Sequence, residues 1–241
     1  MDNSSPLLNS IKDALVRSAS PQALPHVLVP MAATLMRMLA EGQPVSPQVA
    51  ATRLRIGSED AAYLFRKFQS MGMAELTRAG DLAGMVLSLN PTRHKFRLNG
   101  RTLYAWCAID TLFLAPILQR EAEVESTCPV TGAAIRLLVT PTEVQKLDPA
   151  DVFLSLVAPG VTAGIVAECG PGLSGPEGAF CTDVHFLASR DAAQQWSARR
   201  SGSLVLPVDE AFDVAYEIWA RPFLASLPQS RTVRTVHNLE R

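Results

Sequence analysis

Cysteine is scarce in this chain of 241 residues: there are four, at 107, 128, 169 and 181, and none forms a C-x-x-C pair. That is too few and too scattered for a disulfide-stapled secreted domain. Charge of one sign is also lacking. Lys and Arg total 22 against 23 for Asp and Glu, a net charge of -1, which excludes a basic nucleic-acid coat or an acidic tail as the main business of the chain. The most apolar windows, such as Val152 to Val157, fall far short of the roughly 20 residues needed to cross a bilayer. Met1-Asp2-Asn3-Ser4-Ser5 lacks the basic stretch and apolar run of a targeting segment. A soluble cytoplasmic protein is expected, and in that compartment thiols stay reduced. What the chain does have is apolar bulk: 48% hydrophobic and 19% charged residues, enough for a sizeable core and incompatible with global disorder.

The first hundred residues read as helices followed by short strands. Leu7, Ile11, Leu15 and Val16 share one helical face, and Val29 to Leu39 forms another apolar helix closed by Glu41-Gly42. Ser46-Pro47 is an N-cap followed by proline at the first helical position, opening a helix to about Leu54. A further helix runs from Glu59-Asp60 to about Gln69. Short apolar pieces follow at Met73 to Leu76, Met85 to Leu89 and Lys95 to Leu98, with Asn99-Gly100 as a tight-turn signal before Arg101-Thr102-Leu103. Helices and then a small β-wing outline a winged-helix-like N-terminal domain, residues 1–98. The rest, 99–241, alternates as a mixed β/α domain. A buried helix is expected over Ala105 to about Ala115, and strands at Glu123 to Ser126, Ala134 to Val139, Asp151 to Val157 and Phe180 to Phe186. Thr142 to Leu147 reads as a short helix, Gly170 to Gly178 as a loop, and Ala192 to Arg199 and Val208 to about Ala220 as closing helices. The class is α+β, a mixed sheet with helices against it.

Two constellations carry chemistry. Cys107 and Asp110 stand three apart, which on a helix places thiol and carboxylate on one face, about 5–6 Å apart at Cβ. The first turn of a helix favours thiolate, while the carboxylate opposes ionisation but can take or return the proton. A buried structural cysteine beside an unrelated aspartate fits the same spacing. In Phe180-Cys181-Thr182-Asp183-Val184-His185-Phe186, strand alternation turns Cys181, Asp183 and His185 to one face; taken alone, the pattern fits a core strand with one satisfied histidine better. Cys128, before Pro129, reads as a small packed hydrophobe, and Cys169 has no motif. Two thiolates, an imidazole and a carboxylate are an acceptable zinc set, although structural zinc sites usually bring ligands in close pairs. A soft ion such as Hg(II) or Cu(I) needs fewer ligands and is selected by thiolates.

A competing class comes from charge. Between Arg53 and Arg101 there are nine Lys/Arg against four acids, the tilt of a DNA-binding regulator. Against it, the helix that would enter the groove opens with Glu59-Asp60, and its later face, Tyr63, Leu64, Phe65 and Phe68, suits packing better than base reading.

Leu103-Tyr104-Ala105-Trp106-Cys107-Ala108-Ile109-Asp110-Thr111-Leu112 closely resembles the active-site segment of organomercurial (alkylmercury) lyases, and Phe180 to Ser189 resembles their second active-site segment. Gly42-Gln43-Pro44-Val45-Ser46, Cys128-Pro129-Val130-Thr131-Gly132 and Trp196 are similar in the family's order, over roughly residues 25 to 225. The resemblance implies a Cys107, Asp110, Cys181 site, a structural Cys128, and a winged-helix-like domain not used for DNA. It also implies protonolysis of a carbon–mercury bond, with Hg(II) left on Cys107 and Cys181 and Asp110 as a further candidate ligand. Trp106 and Phe180 become candidate pocket walls. No organic cofactor is expected, and external thiols or a mercuric reductase would remove Hg(II). The alternative is a mercury- or soft-metal-binding winged-helix regulator or sensor without lyase activity. Two departures stand out: Thr182-Asp183 occupies the place where family members often carry Cys-His, and the loop holding Cys169 is longer.

Overall fold

The computed structural model describes residues 28–157, 183–200 and 203–226. The helix expected around Leu7 to Val16, the loop at Gly170 to Gly178, and Cys169, Phe180, Cys181 and Thr182 lie outside the described residues. Three helices come first: α1 (Leu28–Leu39), α2 (Pro47–Leu54) and α3 (Ser58–Ser70). Ser46 caps α2 as expected, its hydroxyl accepting from the Val49 N–H at 3.3 Å. On α3 the buried side chains are Ala61, Leu64, Phe65 and Phe68, whereas Tyr63 is 64% exposed. Tyr63 therefore departs from the packing role the sequence suggested, because it lies a third of a turn off the buried stripe.

Eight antiparallel strands follow in one sheet, in spatial order β1-β2-β3-β5-β4-β6-β7-β8. They are β1 (Glu75–Leu76), β2 (Leu82–Met85), β3 (Leu87–Ser88), β4 (His94–Leu98), β5 (Arg101–Ala105), β6 (Ala122–Thr127), β7 (Ala134–Val139) and β8 (Val144–Asp148). The Asn99-Gly100 turn joins β4 to β5 with both residues at positive φ, 51° and 75°, the geometry that suits a two-residue hairpin. The sheet runs without a break through residue 98. A second sheet, β10-β9-β11, comprises β9 (Phe153–Val157), β10 (Phe186–Leu187) and β11 (Ser203–Pro207). Between β5 and β6 runs α4 (Ala108–Leu118), every residue of which is buried. It packs against β4 to β7 on one side and α6 (Val208–Ala215) on the other, so its all-round apolar sequence is what a central helix needs.

Four local expectations are corrected. The buried helix begins at Ala108, not Ala105, because Tyr104 and Ala105 pair with Lys95 and His94 in the sheet. Thr142 to Leu147 is not helical: β8 pairs with β7 through a bulge near Lys146, whose φ is 51°. Helix-prone residues yield there because an edge strand satisfies the backbone of β7. In the described part of the expected Phe180 to Phe186 strand, only Phe186 is in a strand, since Ser155 replaces the ladder around Asp183 and His185. The last helix does not stop at about Ala220 but continues past Pro222. A widened turn, Tyr216–Ala220, leads into α7 (Arg221–Ser226), and this i→i−5 widening relieves the clash a proline ring makes in a regular helix. The remaining helix, α5 (Arg190–Arg199), starts at Ser189, which accepts from the Ala192 N–H.

Candidate active site

The junction from β5 into α4 carries the first constellation. Cys107 is the N-cap of α4, with extended φ −143° and ψ 176°, and Asp110 is the third helical residue. The two close a reciprocal capping box: the Asp110 carboxylate accepts from the Cys107 N–H at 2.8 Å, and the Cys107 sulfur accepts from the Asp110 N–H. Three-residue spacing thus brings thiol and carboxyl together by a capping geometry, one position earlier than a first-turn pair. Both side chains are buried, Cys107 at 0% and Asp110 at 7% exposure. Burial pushes the Asp110 carboxyl up from 3.8 to about 7, against the lowering effect of hydrogen bonds from the Cys107 backbone N–H and thiol. A carboxyl poised there can hold or release a proton near neutral pH.

Each residue of the junction is tethered. Thr92 Oγ1 donates to the Ala105 carbonyl at 2.6 Å, the Trp106 N–H donates to Val86 O at 3.1 Å, and the Ala108 N–H donates to Val184 O at 3.3 Å. That last bond joins the first active-site-like segment to the second. Trp106 is 3% exposed, and its indole N–H donates to Glu75 Oε1.

The described part of the second segment is clamped from two elements. Ser155 on β9 donates its hydroxyl to Asp183 O at 2.8 Å and accepts from the His185 N–H at 2.9 Å. From α5, Trp196 meets the His185 ring edge-on at 5.0 Å, and Arg200, just past the helix, lies over Trp196 and pairs with Asp183 at 3.2 Å. His94, 6.5 Å from His185 and bonded to Ser126 Oγ, is held neutral down to about 3, first by burial and then by the charges of His185 and Arg93. Asp110, by contrast, is a buried carboxyl raised to about 7.

Of the sequence-derived site residues, the structure brings Cys107 and Asp110 together and buries Trp106 beside them in sequence; Phe180 and Cys181 lie outside the described residues. Cys128 is buried in the β6–β7 turn. Burial pushes its thiol up, but hydrogen bonds from the Thr131 hydroxyl and the Ala188, Thr131 and Val130 N–H groups outweigh that and hold it below the usual thiol range. Among the described residues no three His, Cys, Asp or Glu side chains gather as a metal site; a multi-ligand zinc centre would need ligands from elsewhere in the chain. Sequence reasoning missed Glu75 and Ser155. Their partners lie 31 and about 30 residues away, and no local pattern connects them.

Comparison with known proteins agrees with the resemblance. The alkylmercury lyase family model matches residues 87–220. An alkylmercury lyase of Staphylococcus epidermidis is 35% identical over 187 residues, covering 78% of this chain and 80% of the relative. One from Pseudomonas putida is 32% identical over 194 residues, covering 80% and 85%. A solved structure of the mercury-bound form of MerB2 superimposes with a TM-score of 0.70 at 22% identity, over 89% of this chain and 99% of that one, a likeness of fold. Nothing among these relatives supports the regulator alternative. Matched by the family model over more than half its length, and by named relatives over three quarters of it, the chain belongs to the alkylmercury lyase family.

Proposed function

We propose that this chain is an organomercurial lyase that cleaves carbon–mercury bonds by protonolysis, with Cys107, Asp110 and Cys181 as the reacting groups. The observation that carries the reading is the buried capping box, in which a thiol and a carboxyl titrating near neutrality are locked together at a helix N-terminus. Cys107 takes the mercury of R–Hg⁺ as a thiolate, its proton passing to Asp110. Cys181 adds as a second thiolate, its proton leaving to solvent, and raises electron density on the metal. The Asp110 carboxyl then gives its proton to carbon. The electron pair of the carbon–mercury bond becomes the new C–H bond, and Hg(II) stays on the two sulfurs, with Asp110 beside it. Thiolate softness and one mobile proton supply this chemistry, so no organic cofactor is invoked.

Trp106 and Phe180 are proposed as walls for the organic group; the burial of Trp106 next to Cys107 supports the first. Low-molecular-weight thiols or a mercuric reductase would take the product ion, which suits the reducing cytoplasm. No helix among the described residues is long and apolar enough to cross a membrane. A winged-helix-like module over residues 1–98, ahead of a catalytic region 99–241, is proposed to pack rather than to read nucleic acid. The burial of Leu64, Phe65 and Phe68 on α3 favours that.

The test is incubation with phenylmercury or methylmercury and excess thiol. Benzene or methane above the thiol-only background is the expected result. Hg(II) binding without hydrocarbon would sink the lyase reading.

A further inference from the structure

The carboxylate of Glu75 is surrounded by donors that are all uncharged. Its Oε1 accepts from the Trp106 indole N–H at 2.5 Å, and its Oε2 accepts from the Ser88 hydroxyl at 2.9 Å and the Asn90 amide at 2.5 Å. Among the described residues it forms no ion pair with Lys or Arg. The Ser88 hydroxyl also accepts from the Asn90 N–H at 3.0 Å, so the donors are themselves tied down. The carboxylate lies on the backbone of β2 at Gly84, where a Cβ would stand 2.8 Å from Glu75 Cδ. Glycine at 84 is what permits the approach. Hydrogen bonds to a charged acceptor are roughly twice as strong as neutral ones, and here a buried indole spends its single donor on one.

Trp106 is held a second time through its main chain. Its N–H donates to Val86 O, and Val86 sits at φ 62°, a left-handed conformation that is a genuine outlier for a β-branched residue. The next residue is the N-cap thiol. Indole and backbone are therefore both anchored at the position before the reacting sulfur, by groups on β1 and between β2 and β3.

Resting on the lyase reading, we propose that Glu75 is a positioning residue for the reaction: by holding the Trp106 indole it sets the aim of Cys107 and the shape of the space for the organic group. It touches neither mercury nor carbon. Its effect passes through Trp106, which makes the proposal separable from a general structural role.

The test uses the full chain with Glu75→Gln, Glu75→Leu, Trp106→Phe and the double variant Glu75→Leu/Trp106→Phe. Hydrocarbon release is followed with phenylmercury and methylmercury under excess thiol, and near-ultraviolet circular dichroism is recorded alongside. Glu75→Leu should lower kcat/KM by about tenfold, the scale of a lost charge-assisted hydrogen bond, and should change the phenyl-to-methyl preference. Glu75→Gln, which keeps an acceptor oxygen for the indole, should recover part of the loss. The double variant should be no worse than Trp106→Phe alone. The tryptophan band that disappears in Trp106→Phe should be altered in Glu75→Leu. Additive losses, or an unchanged substrate preference in a folded Glu75→Leu, would overturn the role. Should Glu75→Leu fail to fold, Glu75→Gln decides: wild-type kcat, substrate preference and tryptophan band would overturn it. A wild type that releases no hydrocarbon overturns the lyase reading and this role with it, whereas an active wild type with an indifferent, folded Glu75→Leu overturns the role alone.

Discussion

Replacing Asp110 by Asn should separate stability from activity in opposite directions. The carboxyl is buried, and its folded-state value of about 7 lies above the ordinary 3.8. The charged form is therefore disfavoured on folding. Relative stability from this group is fully present below about pH 3.8 and is lost as pH rises through about 7. A shift of roughly three units corresponds to ~4 kcal/mol at about 1.4 kcal/mol per unit. The part falling between about pH 5 and about pH 8 is on the order of 2–3 kcal/mol. Asn keeps an acceptor for the Cys107 N–H without the titration. Urea unfolding of the reduced, mercury-free protein across this range should show the stability of Asp110→Asn rising relative to wild type by that amount as pH increases, while hydrocarbon release is abolished. Parallel pH profiles for the two proteins would refute the buried, proton-holding carboxyl and remove the physical basis of the proton step.

Three further outcomes are expected. Cys107→Ala and Cys181→Ala should each abolish benzene release from phenylmercury, measured by headspace analysis, and each should retain only one-thiolate Hg(II) binding. Ser155→Ala leaves the His185 N–H buried without the hydroxyl acceptor seen at 2.9 Å; it should destabilise by about 1–3 kcal/mol in urea and lower kcat by loosening the segment that follows Cys181. Cys128→Ser should lower stability by about 1 kcal/mol, the size of one weakened buried hydrogen-bonding site, and leave release of benzene measurable, in contrast to Cys107→Ala.

Legibility in the sequence followed the range of the interaction. The helices α1 to α3, the Ser46 cap and the Asn99-Gly100 hairpin were readable because the signals lie within a few residues of each other. The Cys107–Asp110 pair was readable for the same reason, since a capping box spans three residues. The β8 edge strand was misread because its own residues favour helix and only the neighbouring β7 makes a strand worthwhile. Helix continuation through Pro222 was missed because the widened turn before it depends on packing around Tyr216 to Ala220.

The sequence by itself determined the α+β class, the pairing of a thiol with a carboxyl, and, through the two long similar segments, the alkylmercury lyase family. Only the tertiary structure decided the state of that pair. The enclosure of α4 between two layers removes water from Asp110 and raises its proton affinity, and no spacing rule encodes enclosure. The same holds for Glu75 under Trp106 and Ser155 under the second segment. Each holds its segment through polar contacts to residues about thirty positions away, formed only because the sheet order sets their strands beside the site.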